Sequence, residues 1–303
     1  MTSSELPLIV ITGPTASGKS GLAMELAQKF GGEIICADSR TIYKGMDIGT
    51  AKPTRDDQNK VLHHLLGVVE PGERYTAADF QSNALERIEM IRKRGKIPFL
   101  VGGTGLYIDA VVREYEWPER VKVEAEREIL EPQSIEQLQA MIEIQQLEMP
   151  SNLRNKRHLI NTLLRQGKQG NARLSPRENV YVVAIATPKN ILENRIRERA
   201  REMFGTGVIE ETQRLVDFYG WDSEAMSSNI YPIARRVING DITQNVAIEL
   251  FVNKDKHLAK RQVTWLKRHK YVQWYELEEA KGYLEQVLTT ACATIVPSMS
   301  EGK

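Results

Sequence analysis

The chain has 303 residues with a formal net charge of +1; 41% of its residues are hydrophobic and 27% charged. This is ordinary composition for one large or two moderate globular domains, and it excludes a global polycation, so any nucleic-acid surface must be a local patch. Two cysteines far apart, Cys36 and Cys292, exclude a disulfide framework, a cysteine-rich zinc site and a paired-cysteine redox motif. A reduced cytoplasmic setting is expected. No apolar run approaches the length of a membrane span, and the first six residues are too few and too polar for a signal peptide.

The first predicted elements are a buried strand from Leu8 to Thr12 and a helix from about Ser20 to Phe30. Between them Gly13, Pro14, Thr15, Ala16, Ser17, Gly18, Lys19 and Ser20 fit the pattern Gly-x-x-x-x-Gly-Lys-Ser/Thr. Such a loop turns backbone N–H groups inward at a helix N-terminus and cradles phosphate oxygens. Lys19 is placed to reach the distal phosphates, and the Ser20 hydroxyl to ligand a magnesium ion. A second strand, Glu33 to Ala37, runs into Asp38-Ser39-Arg40-Thr41. Ligands of open α/β sheets lie at the carboxyl ends of strands, so Asp38 falls where chemistry is expected, although a turn cap is its plain alternative. Residues 43–52 read as a glycine-rich loop, with Lys52 and Arg55 able to face an anion. His63 and His64 are adjacent and do not share a face, which argues against a two-histidine metal site.

Thr76 and Asp79 mark the start of a helix to about Arg94, with an apolar stripe at Phe80, Ala84, Leu85, Ile88 and Ile91. Ile97 to Val101 reads as a third buried strand that ends in Gly102-Gly103-Thr104-Gly105. A nucleotide hydrolase usually ends its corresponding strand in a magnesium-organising aspartate. Here glycines admit a ligand to the backbone and Thr104 supplies a hydroxyl. Residues 114–177 are charged and helical, and are expected to form an inserted subdomain with a basic edge at Arg154, Lys156 and Arg157. The core, residues 1–113 and 178–290, resumes with a strand from Val180 to Ala186. A helix from Asn190 to Met203 carries Arg195, Arg197, Arg199 and Arg201, of which one or two can face a ligand. A helical pattern from Ile242 to Lys270 ends strongly basic: residues 254–270 carry Lys254, Lys256, Lys260, Arg261 and Lys267 interleaved with Trp265, and Asp255 as their single acid. Basic residues mixed with aromatics suit a phosphate backbone and stacked bases; a solvated face is the alternative. Residues 291–303 are expected to be a flexible tail.

The segments GPTASGKS, ADSRTIYKGMDIGTAK, LHHL, VGGTGLY and HLAKRQVTW, in this order, resemble the bacterial tRNA dimethylallyltransferases. A thinner match runs through LENRIRERAREMFGTGVIEE, and matching segments cover about half of the chain. The resemblance implies a P-loop α/β core with a central parallel sheet flanked by helices. It implies transfer of a dimethylallyl group from dimethylallyl diphosphate to the exocyclic amine of the adenosine 3′ of the anticodon in tRNA. Under it the loop from Gly13 to Ser20 holds the diphosphate, with magnesium on Ser20, and Arg199 grips the same group. Asp38 accepts the amine proton, and Thr104 hydrogen-bonds the oxygen between carbon and phosphorus. Asp38, Ser39, Arg40 and Thr41 contact the target adenine. Lys256, Lys260 and Arg261 meet the tRNA backbone, and the inserted helices clasp the anticodon stem-loop. A monomer without membrane contact is expected.

Four segments differ from the family's usual residues. Thr41 replaces a glutamine, Asn161-Thr162-Leu163-Leu164 replaces Arg-Ala-Leu-Glu, Tyr231-Pro232 replaces Gly-Tyr and Asp255-Lys256 replaces Thr-Arg. The residues alone leave open a small-molecule kinase using the same loop on ATP, and a prenyltransferase acting on free adenine nucleotides.

Overall fold

The computed structural model describes residues 6–117, 124–150, 152–168 and 171–295. The chain divides into two compact units, residues 1–113 with 175–303, and residues 114–174.

The first unit is built on six strands: β1 (Leu8–Thr12), β2 (Gly32–Cys36), β3 (His63–His64), β4 (Ile97–Gly102), β5 (Val180–Ile185) and β6 (Gln273–Tyr275). They lie in the order β3-β2-β4-β1-β5-β6, and every pairing is parallel. Parallel strands need crossover connections, which here are mostly helices, so both faces of the sheet are covered and the strands read as continuous apolar runs. Alternation divides those runs between two cores. Leu8, Val10, Ile35 and Leu100 face Phe80, Ala84, Ile88 and Ile91 of one helix and Ile108 and Val111 of another. Ile9, Ile11, Ile34 and Phe99 face Leu22 and Leu26, together with Ala280, Leu284 and Leu288 from the C-terminal helix.

The helices on this frame begin with α1 (Lys19–Phe30), α2 (Arg55–Lys60), α3 (Ala77–Lys93) and α4 (Gly105–Val112). α3 opens on the anticipated Thr76–Asp79 capping box, in which each side chain accepts from the other residue's backbone N–H. Residues 114–174 contribute α5 (Glu124–Leu130), α6 (Ile135–Ile144) and α7 (Lys156–Leu164), packed on a core of their own around Leu138, Ile142, Leu159 and Leu163. The chain then forms α8 (Lys189–Gly205), α9 (Val208–Tyr219), α10 (Tyr231–Ile238), α11 (Gln244–Leu266) and α12 (Leu277–Ile295). α8 to α11 enclose a third core with Ile42, Tyr43 and Met46 of the loop after β2.

Three differences from the sequence reading have simple causes. β3 and β6 have two and three residues, too short for periodicity to show. The basic helical pattern ends at Leu266 instead of Lys270, because the chain must turn to place β6 beside β5. α12 continues through residues 291–295, where a flexible tail was expected; the rest of that tail lies outside the described residues. Among the described residues, no helix is long and apolar enough to cross a membrane.

Candidate functional site

The sheet's geometry decides what can meet. β1 is central, so the loop that leaves its carboxyl end lies between the ends of β4 and β5. Gly13 takes φ 141°, and a Cβ there would meet the backbone of Ile185 at 3.2 Å. Gly18 takes φ 95° as the residue before α1. Both conformations favour glycine, and between them the loop wraps around the start of α1. The Ser17 hydroxyl is buried without a hydrogen-bond partner among the described residues. Lys19 bends back to donate to the Pro14 carbonyl at 3.1 Å. Burial pushes the Lys19 ammonium down to about 8, while Asp38 and Asp255 oppose the shift and Arg199 adds to it.

This loop forms one wall of a cleft of about 410 Å³. The end of β2 supplies Asp38, Ser39, Arg40 and Thr41 to the same cleft, and the end of β4 supplies Gly103 and Thr104. Asp38 Oδ1 accepts from the Arg40 N–H at 2.8 Å, so it does form the anticipated local turn, and it does so while facing the cleft. Thr104 precedes α4 as its N-cap, yet its hydroxyl does not cap the helix. Thr104 Oγ1 instead accepts from the Ser39 N–H at 3.0 Å. β2 and β4 are thereby joined at their functional ends.

Two of the four candidate arginines of α8 reach the phosphate loop. Arg195 donates to the Ser17 carbonyl at 3.2 Å, and Arg199 donates to Thr15 Oγ1 at 2.6 Å. Arg197 turns away to pair with Glu249. Arg199 is also paired with Asp255 of α11, whose other oxygen accepts from Asn229 Nδ2 at 2.8 Å. Arg199 Nε is buried with no hydrogen-bond partner among the described residues. Of the basic residues singled out on α11, Lys260 and Arg261 are exposed, whereas Lys256 pairs with Glu193 at 3.0 Å. Arg261 lines the cleft. Lys52 pairs with Asp47 and donates to the Tyr43 carbonyl, so it serves its own loop. His64 pairs with buried Glu33 at 2.7 Å.

Three contributors escaped the sequence reading. Glu211, buried on α9, accepts the N–H groups of Asp47, Ile48 and Gly49 at 2.7–2.8 Å and the Tyr231 hydroxyl at 2.9 Å, which fixes the loop bordering the cleft. Gln262 of α11 joins Thr15 to Gly103. Asp255 did carry a signal: it is the one acid in a basic run, and an unexplained charge of opposite sign is a reason to look for a buried partner.

An all-parallel sheet whose central strand feeds a phosphate loop, a helix N-terminus and a basic, half-enclosed cleft defines a P-loop α/β protein. The family model described as IPP transferase matches residues 41–269, and the chain belongs to that family. It is 35% identical over 288 residues to the tRNA dimethylallyltransferase of Oceanobacillus iheyensis, covering 89% of this chain and 91% of that one. It is 32% identical over 291 residues to the tRNA dimethylallyltransferase of Bacillus subtilis, covering 91% and 93%. The crystal structure of full-length tRNA isopentenylpyrophosphate transferase from Bacillus halodurans superposes with a TM-score of 0.70 at 29% identity, covering 95% of this chain and 98% of that one.

Proposed function

We propose that this protein transfers a dimethylallyl group from dimethylallyl diphosphate to the exocyclic amine of the adenosine 3′ of the anticodon in tRNA. Family membership and relatives that are named tRNA dimethylallyltransferases support the reaction. The observation that carries the reading is the meeting of Asp38, Thr104 and the phosphate loop in one cleft, with Thr104 hydrogen-bonded to the residue after Asp38.

In this reading the loop from Gly13 to Ser20 holds the diphosphate through its N–H groups, with the Ser17 hydroxyl, Lys19 and Arg199 as further donors. The unpartnered Ser17 hydroxyl and Arg199 Nε fit an anion at this place. Thr104 Oγ1 already accepts from the Ser39 N–H, and its own proton, donated here over 3.4 Å to Ser39 Oγ, turns to the oxygen that joins carbon to phosphorus. The adenine amine attacks the allylic carbon: an N–C bond forms, the C–O bond breaks, and the electron pair leaves on the diphosphate. Asp38 uses Oδ1 on the Arg40 N–H and takes the amine proton on Oδ2. A positioned base is needed because an exocyclic adenine amine is a poor nucleophile. The Ser20 hydroxyl, exposed at the cleft beside the phosphate loop, fits magnesium, which draws most of its shell from water and substrate phosphate. Bound there, the ion would neutralise charge on the leaving diphosphate.

Ser39, Arg40 and Thr41 border the space for the adenine, which must leave its stack to enter. Lys260, Arg261 and, less directly, Lys256 supply phosphate-backbone contacts, and residues 114–174 clasp the anticodon stem-loop. The test is transfer of label from dimethylallyl diphosphate to total tRNA, with adenosine monophosphate as control acceptor. Labelled tRNA is expected. Labelled monophosphate with unlabelled tRNA would make the protein a free-nucleotide prenyltransferase.

A further inference from the structure

One side chain of α11 ties the backbone of the phosphate loop to the end of β4. Gln262, on α11, accepts from the Thr15 N–H through Oε1 at 2.8 Å and donates through Nε2 to the Gly103 carbonyl at 3.1 Å. Its amide has one orientation here, because a flip would set donor against donor at Thr15 and acceptor against acceptor at Gly103. Thr15 belongs to the loop after β1, and Gly103 immediately precedes Thr104 at the end of β4. The same Thr15 is held through its hydroxyl by Arg199, itself paired with Asp255 seven residues before Gln262 on α11. Absence of a side chain at position 103 is part of the arrangement: a Cβ on Gly103 would meet Gln262 Nε2 at 2.3 Å.

We propose that Gln262 is a positioning residue that sets the phosphate loop in register with Thr104. The inference rests on the transferase reading for its kinetic consequence. Without the bridge the loop still binds phosphate, but the bound diphosphate is no longer fixed against the Thr104 hydroxyl. Misplacement of about an ångström between a leaving group and its hydrogen-bond donor is felt in the chemical step more than in binding. Gln262 touches neither reacting atom in this account; it acts through Thr15 and Gly103.

The bridge can be broken from either end. Gln262→Met removes both hydrogen bonds at nearly constant volume, and Gly103→Ala displaces the amide. Each variant is expected to lower kcat by about 10- to 100-fold while changing the dissociation constants of inorganic pyrophosphate and of tRNA by less than about threefold. A purely structural role would reduce the fraction of protein able to bind pyrophosphate and leave kcat per binding site unchanged. Two independent lesions multiply, whereas lesions in one bridge do not. The double variant is therefore expected within about threefold of Gln262→Met alone. An unchanged kcat per site in Gln262→Met, or a double loss equal to the product of the singles, overturns the proposal.

Hydrogen exchange of the peptide covering residues 13–18 gives a readout that does not depend on activity. It should accelerate in Gln262→Met and in Gly103→Ala relative to wild type. Unaltered exchange in both refutes the bridge. A wild-type protein that transfers no dimethylallyl group refutes the transferase reading instead, and the exchange result then judges the bridge alone.

Discussion

The phosphate loop and α11 border the same cleft, and they are built in opposite ways. The loop concentrates eight consecutive residues, Gly13 to Ser20, into one turn at a helix N-terminus. α11 runs 23 residues and shares its side chains between two environments. Asp255 and Gln262 turn inward to Arg199 and Thr15, while neighbouring Lys260 and Arg261 are exposed. A loop can be read from its own sequence because its conformation is local. A helix face can be assigned only when its neighbours are known. α11 therefore contributes to both proposed substrate surfaces, and adjacent residues such as Arg261 and Gln262 serve different ones.

The sharpest test of that division is on the strand-end side. Asp38→Ala should lower turnover on tRNA by about 10²- to 10⁴-fold with little change in donor binding, because the proton acceptor is lost while the phosphate-loop donors remain. Single-turnover rates decide it; an unchanged rate removes Asp38 from the chemistry. Next in size, Thr104→Ala should slow the chemical step by about 10²-fold, since its hydrogen bond strengthens as the leaving oxygen gains charge. A raised Michaelis constant for donor with unchanged turnover would make Thr104 a ground-state contact only.

A third expectation concerns Lys19. Burial lowers its ammonium from the ordinary 10.5 to about 8. The protonated form binds the diphosphate, so kcat/KM for the donor should be level below that value and fall as pH rises through it, by about tenfold per unit. Lys19→Met, measured over the same range, should have lost that limb. A wild-type profile that stays level to pH 10 would mean that the lysine does not titrate there.

The smallest effect separates the outer face of α11 from its inner face. Lys260→Ala and Arg261→Ala should each make the log–log dependence of tRNA affinity on salt shallower by about one unit. Lys256→Ala should change it less, because Glu193 already neutralises that ammonium. Equal slopes for wild type and all three variants would return the face to solvent.

Parts whose geometry is short-range could be read from the order of residues alone. β1, the phosphate loop and α1 followed from an apolar run, two glycines and a Lys-Ser pair. α3 followed from its capping box and apolar stripe, and β4 from five apolar residues closed by glycines. The placing of Asp38 and Thr104 at strand ends was legible for the same reason. Tertiary structure decided which long-range partners those residues received. β3 and β6 exist because neighbouring strands offer them unpaired backbone groups, not because two or three residues specify a strand. Glu211 reaches the backbone of residues 47–49 from 162 positions or more along the chain, and Gln262 reaches Thr15 from 247. Each looks in sequence like an ordinary polar residue of a helix. A hydrogen bond across such a separation leaves no local pattern, because its geometry is fixed by how the helices pack on the sheet.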